Sequence, residues 1–397
     1  MPRGRPPAAP MPAFFVFAAC AFASGFAVRL LDPIVLPVAG HFGVTPAAAA
    51  LLITAYALPY AAAQLFLGPL GDRFGKARLI RACVAGLALM LAVGGLSTSW
   101  PMLVASRIAA GVFAGGLIPL VLAQIGDADD LGERQVMLGR MLIAIITGQL
   151  LGPIVSGATS DAYGWRAPLA IGALVALLAT GAAWFALPAS AIAAAPRRPG
   201  SLFAPYRDVL ANPKAAWLIG TVGFEGALFF GVFPYVGELL LAKTPGATSI
   251  ALAAGIVIGA FGVGGLLYAT TVRLWLRALG VRRMCLLGSM LAAAAYAALA
   301  VVPLWWLAAL AMLAAGFSFY MLHNSLQTEA TELAPAARGS AFALFACGLF
   351  LGSGLGPIGF GALLHGVGPG PALGAVALAL VVLGRVAVAT VIDRRPA

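Results

Sequence analysis

A few ionisable side chains stand in stretches that are otherwise apolar: Arg29 and Asp32 in the first long apolar run, Arg107 in the fourth, Glu225 in the seventh and His323 in the tenth. An ionisable group at mid-membrane costs roughly 2.5–3.5 kcal/mol on insertion scales, so each needs a partner or a task. Asp32 and Arg107 each lie about six residues from the outer ends of their runs, which at ~1.5 Å per residue places them at similar depth. Asp32 is therefore open to pairing with Arg107, or with Arg29 three residues back on the same helical face. A carboxylate that is paired in one state and hydrated in another binds and releases protons as its surroundings change. Glu225, in GFEGALFFG, has no base near it in sequence and reads either as a buried neutral acid or as a proton carrier or substrate contact. His323 and Asn324, in YMLHNSLQ, either line a cavity or cap a helix end.

The elements that must carry these groups are membrane helices. The chain is 62% hydrophobic with a mean hydropathy of +1.01, and only 9% of its residues are charged. Spans of about 20 apolar residues are needed to cross a ~30 Å hydrocarbon core. Twelve are expected: Met11–Val38, Ala47–Leu67, Leu79–Leu96, Pro101–Ala123, Val136–Ala158 and Arg166–Leu187, then Ala215–Leu239, Ser249–Leu276, Met284–Val301, Pro303–Leu326, Arg338–Leu363 and Pro371–Val391. The start, MPRGRPPAAP before an apolar run, has the look of a secretory signal, but the run continues through Arg29 and Asp32 and reads as an uncleaved first helix. Residues 188–214 are rich in proline and charge and form the expected linker between an N-terminal half (1–187) and a C-terminal half (215–397).

The halves are repeats. GQLLGPIVSG at Gly148–Gly157 aligns with GSGLGPIGFG at Gly352–Gly361 at an offset of 204, and at 205 Ala109–Gly111 falls on Ala314–Gly316 and Gly75 on Gly280. The net charge of +11 invites a nucleic-acid partner, but its distribution argues against one. With both termini inside, every Lys and Arg of the 24 except Arg29, Arg107, Arg166 and Lys243 falls on the cytoplasmic side, which is the positive-inside bias. The four cysteines sit in separate apolar helices without metal-site or redox spacing. No phosphate-binding loop, metal cluster or nucleophile elbow is present, so neither an enzyme nor a cofactor or metal is expected.

The stretch GPLGDRFGKARL at Gly68–Leu79 packs one acid and three bases into a glycine-rich turn between the second and third runs. Gly68, Leu70, Asp72, Arg73, Gly75 and Lys76 match G-x-L-x-D-R-x-G-(R/K)-(R/K), and the chain resembles the major facilitator superfamily of transporters, in particular bacterial proton-coupled drug or sugar exporters. That resemblance implies an all-α polytopic fold of two six-helix repeats, alternating access, and a gating role for this loop, in which Asp72 holds the halves together. SRIAAGVFAGG, around Arg107, resembles the family's helix-4 motif, and an acid placed like Asp32 is common in its proton-coupled exporters. The stretch Gly148, Gly152, Pro153 and Gly157 resembles an antiporter motif, and Gly352, Gly356 and Pro357 repeat it, so both read as bending, gating segments.

The expectation is a monomeric secondary transporter of the bacterial inner membrane, exporting a small neutral or amphipathic solute in exchange for protons. An importer or uniporter is the alternative. Asp32, Arg107 and Glu225 would carry coupling, and Arg29, Tyr56, Tyr60, Phe229, Phe230, Tyr235, His323 and Asn324 would contact the solute. Reporter fusions at Gly4 and after Asp393 are both expected to report the cytoplasmic face; opposite faces would break the repeat argument as well.

Overall fold

A computed structural model describes residues 11–126, 131–186, 204–244, 248–334 and 337–393, with the side chains of 11–13, 72, 126, 131–136, 138 and 139 excepted. Among the described residues the secondary structure is helical, with no strand. Helix α1 is broken: α1a (Met11–Val28) is followed by a 3₁₀ turn (Asp32–Ile34) and α1b (Val35–Phe42). Then come α2 (Pro46–Phe74), α3 (Lys76–Gly95), α4 (Trp100–Gly126), α5 (Leu131–Tyr163) and α6 (Arg166–Ala186). A short linker helix (Ala204–Leu210) precedes α7, which is broken like α1 into α7a (Pro213–Phe230), a 3₁₀ turn (Phe233–Tyr235) and α7b (Val236–Lys243).

The stretch Ile250–Val301 holds two helices, α8 (250–279) and α9 (281–301), separated by the non-helical backbone of Gly280. The bundle closes with α10 (Trp305–Glu332), α11 (Arg338–Val367) and α12 (Pro369–Ala387). Among the described residues eleven stretches are long and apolar enough to cross a membrane, and the one that turns at Gly280 counts twice.

Several boundaries differ from the sequence expectation, each for a local reason. The first and seventh spans do not run through as single helices. Pro33 and Pro234 each lack an N–H and crowd the preceding turn, so the ladder stops just before them. The expected loop Gly68–Leu79 is almost wholly helical. Helix α2 runs on to Phe74, and the turn is confined to Gly75 at φ +94°. Gly280, its repeat mate, turns α8 into α9 at φ +69° and ψ 166°, a conformation essentially reserved for glycine. Thr45 caps α2 by accepting from the Ala48 N–H at 3.1 Å, and Asn212 caps α7a by accepting from the Lys214 N–H at 2.9 Å. The expected linker thus ends in ordered helix; its residues 188–203 lie outside the described residues, as does the Asp72 side chain.

The two ends of the bundle are distinct. One, here the basic face, carries the Gly75 and Gly280 turns with Arg73, Lys76, Arg78, Arg282 and Arg283; the other, the far face, carries Gly43, Gly164 and Gly368.

Replacing Gly280 by Val is expected to cost about 1–3 kcal/mol through the forbidden backbone alone. Thermal unfolding in detergent checks this against Gly374→Ala in α12, where a methyl meets nothing within 4 Å. Equal melting for the two variants would remove Gly280 as the element that sets the α8–α9 turn.

Candidate functional site

The repeat fixes how each half is packed. A methyl at Gly148 or Gly152 would strike the carbonyls of Phe22 or Phe26 in α1a, at 2.5 and 2.6 Å. In the second half Gly352 and Gly356 press on Gly223 and Ala227 of α7a in the same way. Phe22 and Gly223, and Phe26 and Ala227, are both 201 residues apart, so that offset relates α1 to α7. Small residues let the backbones approach to this distance. The expected gating glycines therefore bind α5 to α1 and α11 to α7 within each half. Pro153 and Gly157 lie against Gly255 and Ala251 of α8, across the boundary between halves.

The halves meet toward the far face. The 3₁₀ turns of α1 and α7 pack on each other, α5 packs along α8, and α2 along α11. The buried Thr54 hydroxyl donates to the Gly354 carbonyl at 2.6 Å. The Leu252 N–H, at the start of α8, donates to Asp161 of α5 at 2.9 Å. The Ser156 hydroxyl ties α5 to the Leu30 carbonyl in the α1 break, and Tyr235 donates to the Pro357 carbonyl at 2.9 Å.

Between the halves, on the side of the basic face, lies a cavity of about 280 Å³. Its walls include Gln64, Leu142, Val272, Gln327 and Phe342, each in the basic-face part of its helix, and Arg29 and Phe230 stand at the helix breaks. Of the residues expected to contact solute, Arg29, Tyr60, Phe230, His323 and Asn324 line it. Tyr56, Phe229 and Tyr235 are packed behind the walls. Tyr56 sits under Arg107, Phe229 among Phe261, Tyr296 and Phe319, and Tyr235 against Pro357 and Gly361. Sequence reasoning passed over Gln64, Gln149, Tyr268 and Tyr320, which hydropathy marks only as isolated polar positions in apolar helices.

Two buried acid–base pairs flank this cavity. Asp32 lies 3.6 Å from the Arg29 guanidinium, which also stacks 4.0 Å over Phe230 and 4.9 Å over Phe233 of the other half. An ion pair between Asp32 and Arg107 is not formed in this conformation. Arg107 instead covers the Tyr56 ring at 4.2 Å, and its Nε and Nη1, the Tyr56 hydroxyl and both Asp32 oxygens are buried without hydrogen-bond partners. Glu225, fully buried in α7a, has a base that the sequence did not reveal: Nδ1 of His323 in α10 lies 2.8 Å from its Oε2. The His323 ring stacks on Phe319 at 4.9 Å and faces Phe345 at 5.0 Å. In both pairs the base lines the cavity and the acid lies behind it.

A membrane bundle of two six-helix repeats around one central cavity, flanked by buried acid–base pairs and lined by aromatic, aliphatic and carboxamide side chains, is the architecture of an integral membrane transporter. The family model of the Major Facilitator Superfamily matches residues 17–357, and the chain belongs to that superfamily. It is 25% identical over 349 residues to the uncharacterized MFS-type transporter YceJ of Bacillus subtilis, covering 86% of each chain. It is 33% identical over 139 residues to a triacylglyceride transporter of Mycobacteroides abscessus, 35% of this chain and 27% of that one. To the multidrug efflux pump LfrA of Mycolicibacterium smegmatis it is 33% identical over 133 residues, 33% of this chain and 26% of that one. The first curated relatives are thus matched over about a quarter of their length or less. The crystal structure of a mutant of the nucleoside transporter NupG shares the fold, with a TM-score of 0.76, 16% identity and coverage of 95% of this chain and 99% of that one.

His323→Phe leaves the Glu225 carboxyl buried without its base and is expected to cost about 1–3 kcal/mol. In a Glu225→Gln background the same change should cost less, with a coupling of about 0.5–3 kcal/mol in a double-mutant cycle read by unfolding in detergent. Strict additivity would show that the two groups do not stabilise one another.

Proposed function

We propose that the chain is a proton-coupled exporter of a bacterial inner membrane, exchanging a small neutral or amphipathic solute for protons by alternating access, with its basic face and both termini on the cytoplasmic side. The observation that carries this reading is the pair of acids, Asp32 and Glu225, one in each half, each held behind a base on the cavity wall. Far-face contacts between the halves and a cavity toward the basic face describe the inward-facing member of the cycle. The positive-inside bias supports the assignment of the basic face. The similarity to a multidrug efflux pump over part of the chain supports export.

The chemistry follows from the two pairs. His323 touches Glu225 through Nδ1, and its ring lines the cavity, so the imidazole can take a proton from Glu225 at one nitrogen and release one to cavity water at the other. Asp32 exchanges its proton as Arg29 and Arg107 change position. Rocking of the halves moves Phe230 and Phe233 relative to Arg29, and so changes how tightly Arg29 can hold Asp32. Protons taken up from the outer side are released inward, and solute occupies the cavity for the return stroke. The role proposed for Asp72, Arg73, Gly75 and Lys76, with Gly68, is to set the balance between the two states, not solute affinity.

Proteoliposomes with an internal pH dye and a panel of labelled solutes test this reading. Asp32→Asn is expected to abolish proton-driven accumulation while sparing downhill exchange. Glu225→Gln should lower solute binding, coupling or both, and Asp72→Asn should slow turnover without changing equilibrium binding. Wild-type accumulation by the double variant Asp32→Asn with Glu225→Gln would show that neither acid carries the proton.

A further inference from the structure

We propose that the cavity selects an uncharged solute bearing a flat apolar face and a rim of mixed hydrogen-bond donors and acceptors, an aromatic glycoside being the simplest member of the class. The inference rests on the transporter reading above and adds to it the chemistry of the solute.

The two bases on the wall, Arg29 and His323, each already face a carboxylate of the chain. Among the described residues no Asp or Glu lines the cavity. Arg29 is engaged by the Asp32 carboxylate at 3.6 Å and by the Phe230 and Phe233 rings, and Nδ1 of His323 is engaged by Glu225 at 2.8 Å. A cationic solute would find no counter-charge at this depth. An anionic one would have to share Arg29 with Asp32, setting a second negative charge against one buried base, which is unfavourable.

What the wall does offer is carboxamide. Gln64 of α2, Gln149 of α5, and Asn324 and Gln327 of α10 all line the cavity, so both halves contribute. Each carboxamide presents a carbonyl acceptor and two N–H donors, the pattern that matches hydroxyl and amide groups rather than ions. Gln64 is the most telling. The residue is 4% exposed and its Nε2 is buried without a hydrogen-bond partner, so a small turn of the side chain toward a solute acceptor would satisfy a donor that is otherwise unpaired. Asn324 donates to the Tyr268 hydroxyl at 3.1 Å, which fixes its amide and orients its carbonyl. Flat surface comes from both halves as well: Tyr60 stacks on Phe350 at 4.0 Å, and Phe319, against Phe230, also lines the wall. At about 280 Å³ the space lies just below the usual ligand-pocket range of about 300–1,000 Å³, which suits one ring joined to one sugar-sized group.

An isosteric series tests the proposal on the purified full chain in detergent, by equilibrium dialysis. The probes are phenyl β-D-glucopyranoside, its glucuronide analogue carrying a carboxylate, and its 2-amino-2-deoxy analogue carrying an ammonium. The neutral glucoside is expected to bind, and both charged analogues to bind at least about tenfold more weakly, the factor set by 1.4 kcal/mol. Gln64→Leu and Gln149→Leu should each weaken glucoside binding by about tenfold with the melting temperature retained. Gln64→Glu, which puts an acid on the wall, should shift preference toward the ammonium analogue.

A charged probe that binds as well as the glucoside overturns the proposal. So does failure of all three probes to bind at millimolar concentration, or unaltered glucoside binding by the two leucine variants. Equilibrium binding in detergent needs no gradient. Loss of proton coupling in the liposome assay therefore leaves this result standing, and a failure here leaves the coupling reading intact.

Discussion

The stacking of Arg29 on Phe230 and Phe233, beside Asp32, is the contact on which the arrangement of the two halves depends. A guanidinium at this depth is tolerable only with a carboxylate or an aromatic face to replace water, and a desolvated cation–π contact is worth roughly 2 kcal/mol. Here the carboxylate comes from the same helix and the rings come from the other half. The position is available because α1 and α7 both break, at Pro33 and Pro234, and the broken segments meet. At the 201-residue offset that relates α1 to α7, Arg29 falls on Phe230 and Asp32 on Phe233. Arg29 therefore stacks on its own repeat mate, close to where the axis relating the halves must pass.

Around that point the scaffold is symmetric and the chemistry is not. Gly111 presses on the Tyr56 carbonyl, and Gly316, 205 residues on, presses on the carbonyl of Phe261, which is the mate of Tyr56 at the same offset. Such contacts have no slack for a side chain, so each half is held as a packed unit. The contacts between halves are fewer in kind: α2 on α11, α5 on α8, and the two breaks. Onto this frame the sequence places a carboxylate at Glu225 where its mate is Ser24, and an arginine at Arg107 where its mate is Met312. Duplication supplies the matched frame, and divergence supplies different ionisable groups in its two halves.

The parts legible in sequence are those with a one-dimensional signature. Hydropathy runs located the spans, and a fixed offset between GQLLGPIVSG and GSGLGPIGFG exposed the repeat, down to the matched turns at Gly75 and Gly280. The helix breaks were not seen, because hydropathy runs unchanged through Pro33 and Pro234, and proline alone does not say whether a helix bends or stops. Pro59, Pro119, Pro153 and Pro357 all sit inside continuous helices. The partner of Glu225 was equally hidden, since His323 lies 98 residues away and only the packing of α7 against α10 brings them together. Equal depth in two helices, the ground for expecting Asp32 beside Arg107, fixes height but not azimuth. The structure turns Arg107 onto Tyr56 instead.

Placing each acid behind its base separates two demands that would otherwise conflict. A carboxylate on the cavity wall would bind a cationic solute strongly and would have to give it up again on the other side of the membrane. In the proposed exchange, Asp32 and Glu225, behind Arg29 and His323, would trade protons without direct contact with the solute. The bases are then the groups that touch both compartments of the site. On that proposal, linkage between solute and proton would run through how Arg29 and His323 are held, because a ligand shifts an equilibrium only by its differential interaction with the two states. For His323 the holding surface is Phe319 and Phe345, within the second half; for Arg29 it is Phe230 and Phe233, across the boundary between halves. In the proposed cycle, relative motion of the halves would therefore act directly on the Arg29 pair, and would reach the Glu225 pair through repacking within the second half.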